Sequence, residues 1–191
     1  MKYLKILAPL FFVFSLNANG ASSGGIGLYA GAGLPFLGQA GLTYSTSGMF
    51  SFALGYNLLS LDSGLSKVEL SMPEFMIHYH PFSGSFYLGV GAGQETLEVK
   101  ATDLFTGYTA SAKVTATTTI AKMGWMWGAS DGGLWFGMDL SFIMPSGGDP
   151  DIVAPGLTST DQAYKDTEDA AKKFGNTSYV NITFAKLGFI F

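Results

Sequence analysis

Few side chains in this sequence belong to the types that do chemistry, and none is a cysteine. The best-spaced pair is His78-x-His80. On a strand both imidazoles would share one face, about 7 Å apart. Two histidines could contribute to a zinc site, which needs three or four ligands. No thiol is available, and Glu74 lies too far up the strand to complete the set. No metal site and no cofactor is therefore expected, and the histidines read as structural groups in an interior or beside a turn. The glycine runs 31–33 and 89–93 are not phosphate loops, because no helix follows either of them. What remains is a scattered polar set: Tyr29, Gln39, Tyr87, Glu95, Lys122, Asp139 and Lys186. All seven fall on the glycine-rich face of alternating segments. If that face is enclosed, two lysines and at least two acids should pair, because isolated buried charges are costly. Such a network could be a plug of salt bridges or the lining of a narrow wet path.

The elements that would position this set have a period of two. Eight segments alternate apolar and small or polar residues: 25–34, 37–44, 49–59, 67–80, 85–100, 109–127, 134–144 and 178–191. This periodicity is that of β-strands with one apolar face. The stretch 49–59 is the cleanest, with Phe50, Phe52, Leu54, Tyr56 and Leu58 opposing Ser51, Ala53, Gly55 and Asn57. In 67–80 the apolar phase moves from even positions (Val68, Leu70, Met72) to odd ones (Phe75, Ile77, Tyr79). A one-residue slip reverses the faces of a strand, and Pro73 at the change cannot donate to a ladder. A β-bulge is expected at Pro73. In 109–127 the threonine-rich first half is expected to project beyond the apolar band.

Residues 1–20 read as a signal peptide outside the fold. Lys2 and Lys5 precede an apolar run from Ile6 to Leu16, and Ala18 and Gly20 suit a cleavage site. The run is about half the ~20 residues of a spanning helix. The domain proper is then 21–191. Of the chain's 10 basic residues all are lysine, so removing Lys2 and Lys5 leaves 8 against 14 acids, a net charge of −6. An acidic chain without arginine is not a nucleic-acid binder. Hydrophobic residues make up 48% and charged ones only 13%, yet no later run could form a membrane helix. Low charge with alternating hydrophobicity is the signature of a transmembrane barrel, with a secreted β-sandwich as the competing fold.

The connections favour the barrel. Turns at 45–48, 81–84 and 129–133 alternate with longer links, except for the short one at Pro35. Bacterial barrels keep short turns in the periplasm and long loops outside, which puts both termini in the periplasm. Tyr44, Phe50, Tyr79, Phe82, Phe86, Trp127, Phe136, Phe189 and Phe191 fall at the short-turn ends of strands. Tyr56, Phe142 and Tyr179 fall at the other ends, and two aromatic girdles suit the two membrane interfaces. The expected fold is all-β, a closed eight-stranded antiparallel transmembrane barrel. A long extracellular insertion, about 145–177, is expected to be loop-like at first. Residues 160–174 within it read as a short surface helix, capped by Ser159 or Thr160 and followed by Gly175.

The run from Ser71 to Phe82 and the stretch Tyr87-Leu88-Gly89-Val90-Gly91-Ala92-Gly93 resemble the outer-membrane protein W family and its small-barrel relatives. Gly124-Trp125-Met126-Trp127, residues 134–144 and the terminal Phe191 fit the same pattern, while the insertion at 145–177 departs from it. The final strand, with Leu187, Phe189 and Phe191 on one face, resembles the C-terminal signal that the barrel-assembly machinery reads. The resemblance implies outer-membrane lipids as surroundings, and a monomer is expected. A non-enzymatic barrel follows as the first reading, either a narrow channel or carrier for small molecules or a structural envelope protein. The alternative is a surface binding or adhesion module acting through 145–177. Small barrels that hydrolyse or transfer lipid A acyl chains are a weaker analogy. They need a nucleophile and base near the outer leaflet, whereas His78 and His80 sit at the opposite end.

Overall fold

The computed structural model describes residues 24–46, 49–64, 66–102, 109–129, 132–153, 168–169 and 172–191. The signal segment and the first part of the expected surface helix lie outside the described residues. Eight strands form, β1 (Gly25–Leu34), β2 (Gly38–Ser45), β3 (Phe50–Asp62), β4 (Ser66–Tyr79), β5 (Phe86–Thr102), β6 (Thr109–Trp127), β7 (Gly133–Val153) and β8 (Tyr179–Ile190). Each pairs antiparallel with its sequence neighbours, and β1 pairs with β8 to close the barrel. Closure leaves no open edge around the barrel, which a sheet in lipid requires.

The alternation expected from sequence is the alternation seen. Leu54, Ile77, Leu88, Val90, Leu140 and Ile182 point outward and are exposed, whereas Ala53, Met76, Tyr87, Asp139 and Thr183 point inward and are buried. Outward aromatic rings form a chain of contacts around the short-turn end. Phe50 meets Tyr79 at 5.3 Å between centroids, Phe86 meets Trp125 at 5.5 Å, Trp127 meets Phe136 at 5.7 Å, and Phe189 meets Phe191 at 5.1 Å. Both ends of the barrel domain lie at this rim, where the Phe191 N–H donates to the Ile26 carbonyl at 2.9 Å.

The walls differ in height. β1 and β2 have 10 and 8 residues, near the ~9–11 that cross a bilayer, whereas β5, β6 and β7 have 17, 19 and 21. The extra length carries charge on its outer face. Cross-strand partners there include Glu98 with Lys113 and Lys113 with Asp151, and Lys67 pairs with Glu69 at 2.7 Å along β4.

Three expectations are corrected. No bulge forms at Pro73: the β3–β4 register runs unbroken through Tyr56↔Pro73, and β4–β5 keeps one register from Ser71↔Thr96 to Glu74↔Gly93. The missing N–H leaves Met72 and Pro73 without ladder partners on β5 instead. The phase of apolar residues changes because the surroundings change. Leu70 and Met72 enter a dry interior, while Lys67, Glu69 and Ser71 on the outside have left the lipid band. The second correction concerns 145–153, which is the end of β7 and not a loop. It tolerates Pro145 and Pro150 while paired to β6 as far as Ser111↔Val153. Third, Tyr179 is not a girdle residue but turns into the lumen, where it packs against Phe36.

Irregularities do occur elsewhere, and the consequential one is on β8. Its pairing steps from Lys186 to Thr183 against two residues of β7, Gly137 and Asp139, and the same shift appears against β1. One extra residue is accommodated there, a β-bulge. It places Lys186, Thr183, Asn181 and Tyr179 on the inner face together, which a strict period of two cannot do.

The end of the insertion folds back over the mouth. Residues 168–169 and 172–174 are helical, and Phe174 packs on the upper lumen cluster. Gly148 and Gly175 pass so closely that a Cβ on either would lie within 2.8 Å of the other's Cα. Asn176 ties the segment down by accepting from the Gly147 N–H at 3.3 Å and donating to the Lys172 carbonyl at 2.8 Å.

Candidate functional site in the barrel lumen

The interior is layered. Toward the short-turn end lies a cluster of Tyr87, Met126, Trp135 and Ile190. Toward the other end lies a second cluster of Phe36, Leu70, Met72, Met76, Ile120 and Ile143. The charged groups sit between them.

Two ion pairs form that middle layer. Lys122 Nζ donates to Glu74 Oε1 at 2.7 Å, and Lys186 Nζ donates to Asp139 Oδ2. All four side chains are at most 6% exposed. Asp139 also accepts from the Tyr87 hydroxyl at 3.1 Å and from Ser141 at 3.5 Å. The Lys186 ammonium lies 5.0 Å from the centroid of the Tyr29 ring, within cation–π range. With two cations and two anions in contact the layer is neutral, which is what makes its burial tolerable.

Of the seven residues expected in a polar network, five meet here or touch it: Tyr29, Tyr87, Lys122, Asp139 and Lys186. Gln39 lies higher and donates to Thr183 Oγ1 at 2.8 Å. Glu95 is buried but stands apart from the lysines, accepting from the Tyr179 hydroxyl at 2.9 Å. The carboxylate expected for Lys122 is supplied by Glu74 instead. The signal for Glu74 was its parity: it shares the strand face of Met76 and His78.

Large inward side chains fit because their neighbours are glycines. The Tyr29 hydroxyl would be 2.6 Å from a Cβ at either Gly41 or Gly55, and a Cβ at Gly188 would overlap the Trp135 indole. A cavity of about 10 Å³ among the described residues is bounded by Tyr29, Thr43, Ala53, Glu74, His78, Lys122, Met126, Trp135 and Lys186. That volume admits about one water.

Beneath the ion pairs, Ser51 lies between two imidazoles, 3.4 Å from His78 Nδ1 and 3.0 Å from His80 Nε2. A serine beside histidine is a nucleophile–base pair in outline. Ser51, however, is 2% exposed and does not border the cavity, so a carbonyl carbon has no approach to it. Burial holds half-buried His80, in the turn after β4, below the usual imidazole range, partly offset by the carbonyls of Gly84 and Phe86.

Closed topology, an outward apolar face and a filled polar interior define a small eight-stranded β-barrel of the outer-membrane type. A major outer membrane protein from Thermus thermophilus has the same fold. It is 12% identical, over 88% of this chain and 98% of that one, with a TM-score of 0.60. Acinetobacter baumannii CarO2 aligns over 87% of this chain and 98% of its own at 14% identity, with a TM-score of 0.48. No protein-family model and no curated protein matches the chain.

Proposed function

We propose that the chain is an integral protein of the bacterial outer membrane whose barrel is closed to solutes and serves as a structural element of the envelope, without enzymatic activity. The observation that carries this reading is the filled lumen. Two neutralised ion pairs lie between apolar layers, with room for about one water. A channel or carrier needs a continuous path or a vacant pocket, and Phe36, Met72, Ile120 and Ile143 interrupt both. Residues 1–20 direct export, both termini face the periplasm, and Leu187, Phe189 and Phe191 present the final strand to the assembly machinery. The mature protein works as a monomer among outer-membrane lipids. The shared rim of short turns, chain ends and aromatic rings supports this orientation.

A second reading has its own support. β5, β6 and β7 rise past the lipid band as a continuous sheet, and the insertion begins as part of it. A surface binding module acting through 145–177 would use that rigid stem.

Liposome swelling tests the first reading. Vesicles carrying the refolded barrel should shrink and stay shrunken in small sugars, as protein-free vesicles do. Recovery of volume would refute the closed barrel. Loss of surface binding on deleting 154–167, with swelling unchanged, would instead favour the second reading.

A further inference from the structure

Two residues that border the central cavity, Trp135 and His78, each carry a buried polar atom, and the two atoms are of opposite character. The Trp135 Nε1–H can only donate, His78 Nε2 can accept, and neither has a hydrogen-bond partner among the described residues. The residues are 2% and 4% exposed.

The tautomer of His78 follows from its neighbours. His80 Nδ1 lies 3.3 Å from the Gly84 carbonyl oxygen and must donate to it, so in the neutral ring Nε2 is bare. Ser51 then donates its hydroxyl proton to His80 Nε2 at 3.0 Å. With that proton committed, the Ser51 oxygen accepts from His78 Nδ1–H at 3.4 Å. His78 Nε2 is thus left with an uncommitted lone pair. A water bridging the two would accept from Trp135 and donate to His78, satisfying both atoms.

We infer that the cavity is a binding site for one water that starts a proton relay through His78, Ser51 and His80 to the short-turn rim. The water gives a proton to His78 Nε2, the Nδ1 proton passes to Ser51, and the Ser51 proton passes to His80 Nε2. The His80 imidazolium then releases its Nδ1 proton to solvent, and the same path run in reverse returns a solvent proton to the water, so that the lysine ammonium groups exchange protons with it and stay charged. Exchangeable protons of the buried ion pairs therefore communicate with one side of the barrel. The groups around His78 are Tyr87 at 4.4 Å between centroids, Ser51, the charged Lys122, Lys186 and Glu74 around the shared cavity, and Asp139, whose charge also acts on it; Tyr87 also faces His80 at 5.8 Å.

The test is nitrogen-15 NMR of histidine-labelled protein refolded in detergent micelles at neutral pH. Both histidines should carry hydrogen on Nδ1, and the Trp135 indole proton should show a cross-peak to a long-lived water. In Ser51→Ala the tautomer of His78 should become mixed while His80 keeps Nδ1–H, and deuterium exchange at the Trp135 indole should slow several-fold. Ser51→Thr should restore both. A wild-type His78 protonated at Nε2, no water cross-peak, or a Ser51→Ala protein with unchanged exchange would overturn the relay. If Ser51→Ala does not refold, the wild-type tautomer and cross-peak alone decide.

Discussion

Lys122 on β6 and Glu74 on β4 meet at 2.7 Å inside the barrel although β5 lies between their strands. They reach each other over the inward glycines of β5, where Gly89 pairs with Lys122 and Gly93 with Glu74. The glycine run is therefore not slack in the sequence. It is the floor across which the ion pair closes, and a side chain at Gly89 would lie 2.7 Å from His78 and 3.4 Å from Lys122.

Removing one partner of that pair strands a buried charge. Lys122→Met or Glu74→Leu alone should lower unfolding free energy by about 3–5 kcal/mol, while the double substitution should come close to wild type. Urea titration of the refolded barrel, followed by gel mobility, gives all four corners of the cycle. Additive single and double effects would show that the pair carries no coupling.

Gly188→Ala should push Trp135 out of its site, at a cost of about 1–3 kcal/mol. The readout is the emission of the buried indole, which should change in the folded state. Adding Trp135→Leu should recover most of the stability, because the overlap disappears with the ring.

The lipid band predicts position-dependent costs. Val90→Lys, on the outer face in mid-strand, should destabilise by about 2–4 kcal/mol in lipid vesicles. Thr117→Lys, farther up the taller wall, should cost close to zero. Equal costs at the two sites would misplace the band.

His80 adds a pH dependence of known sign. Its folded value is lowered by burial, so the unfolded chain takes up the proton first. This contribution to stability is full above about 6.5 and is lost as pH falls below that value toward the lowered folded one. His80→Asn should flatten that slope of the urea midpoint between neutral and mildly acidic pH.

Strand number, the alternating faces and five of the seven central polar residues were legible because lipid and lumen impose opposite polarities at every second position. Legibility failed where that rule is suspended. Above the bilayer the outside is wet and the inside dry, so Leu70 and Met72 reverse the pattern without any slip at Pro73. At the β8 bulge one extra residue changes parity, which hid the inward placement of Tyr179. Pairing across a tilted barrel depends on register between distant strands, so Glu74 could not be matched to Lys122 from spacing. Glu95, matched in charge, lies too high to reach it. Pro145 and Pro150 suggested a loop, yet β6 holds that segment in its ladder.

Planar-bilayer recording tests the closed lumen most directly. The purified wild-type barrel should insert without discrete conductance steps, whereas a protein with Lys122, Glu74 and Phe36 all replaced by alanine should show small ones. Regular steps from the wild type would contradict the account.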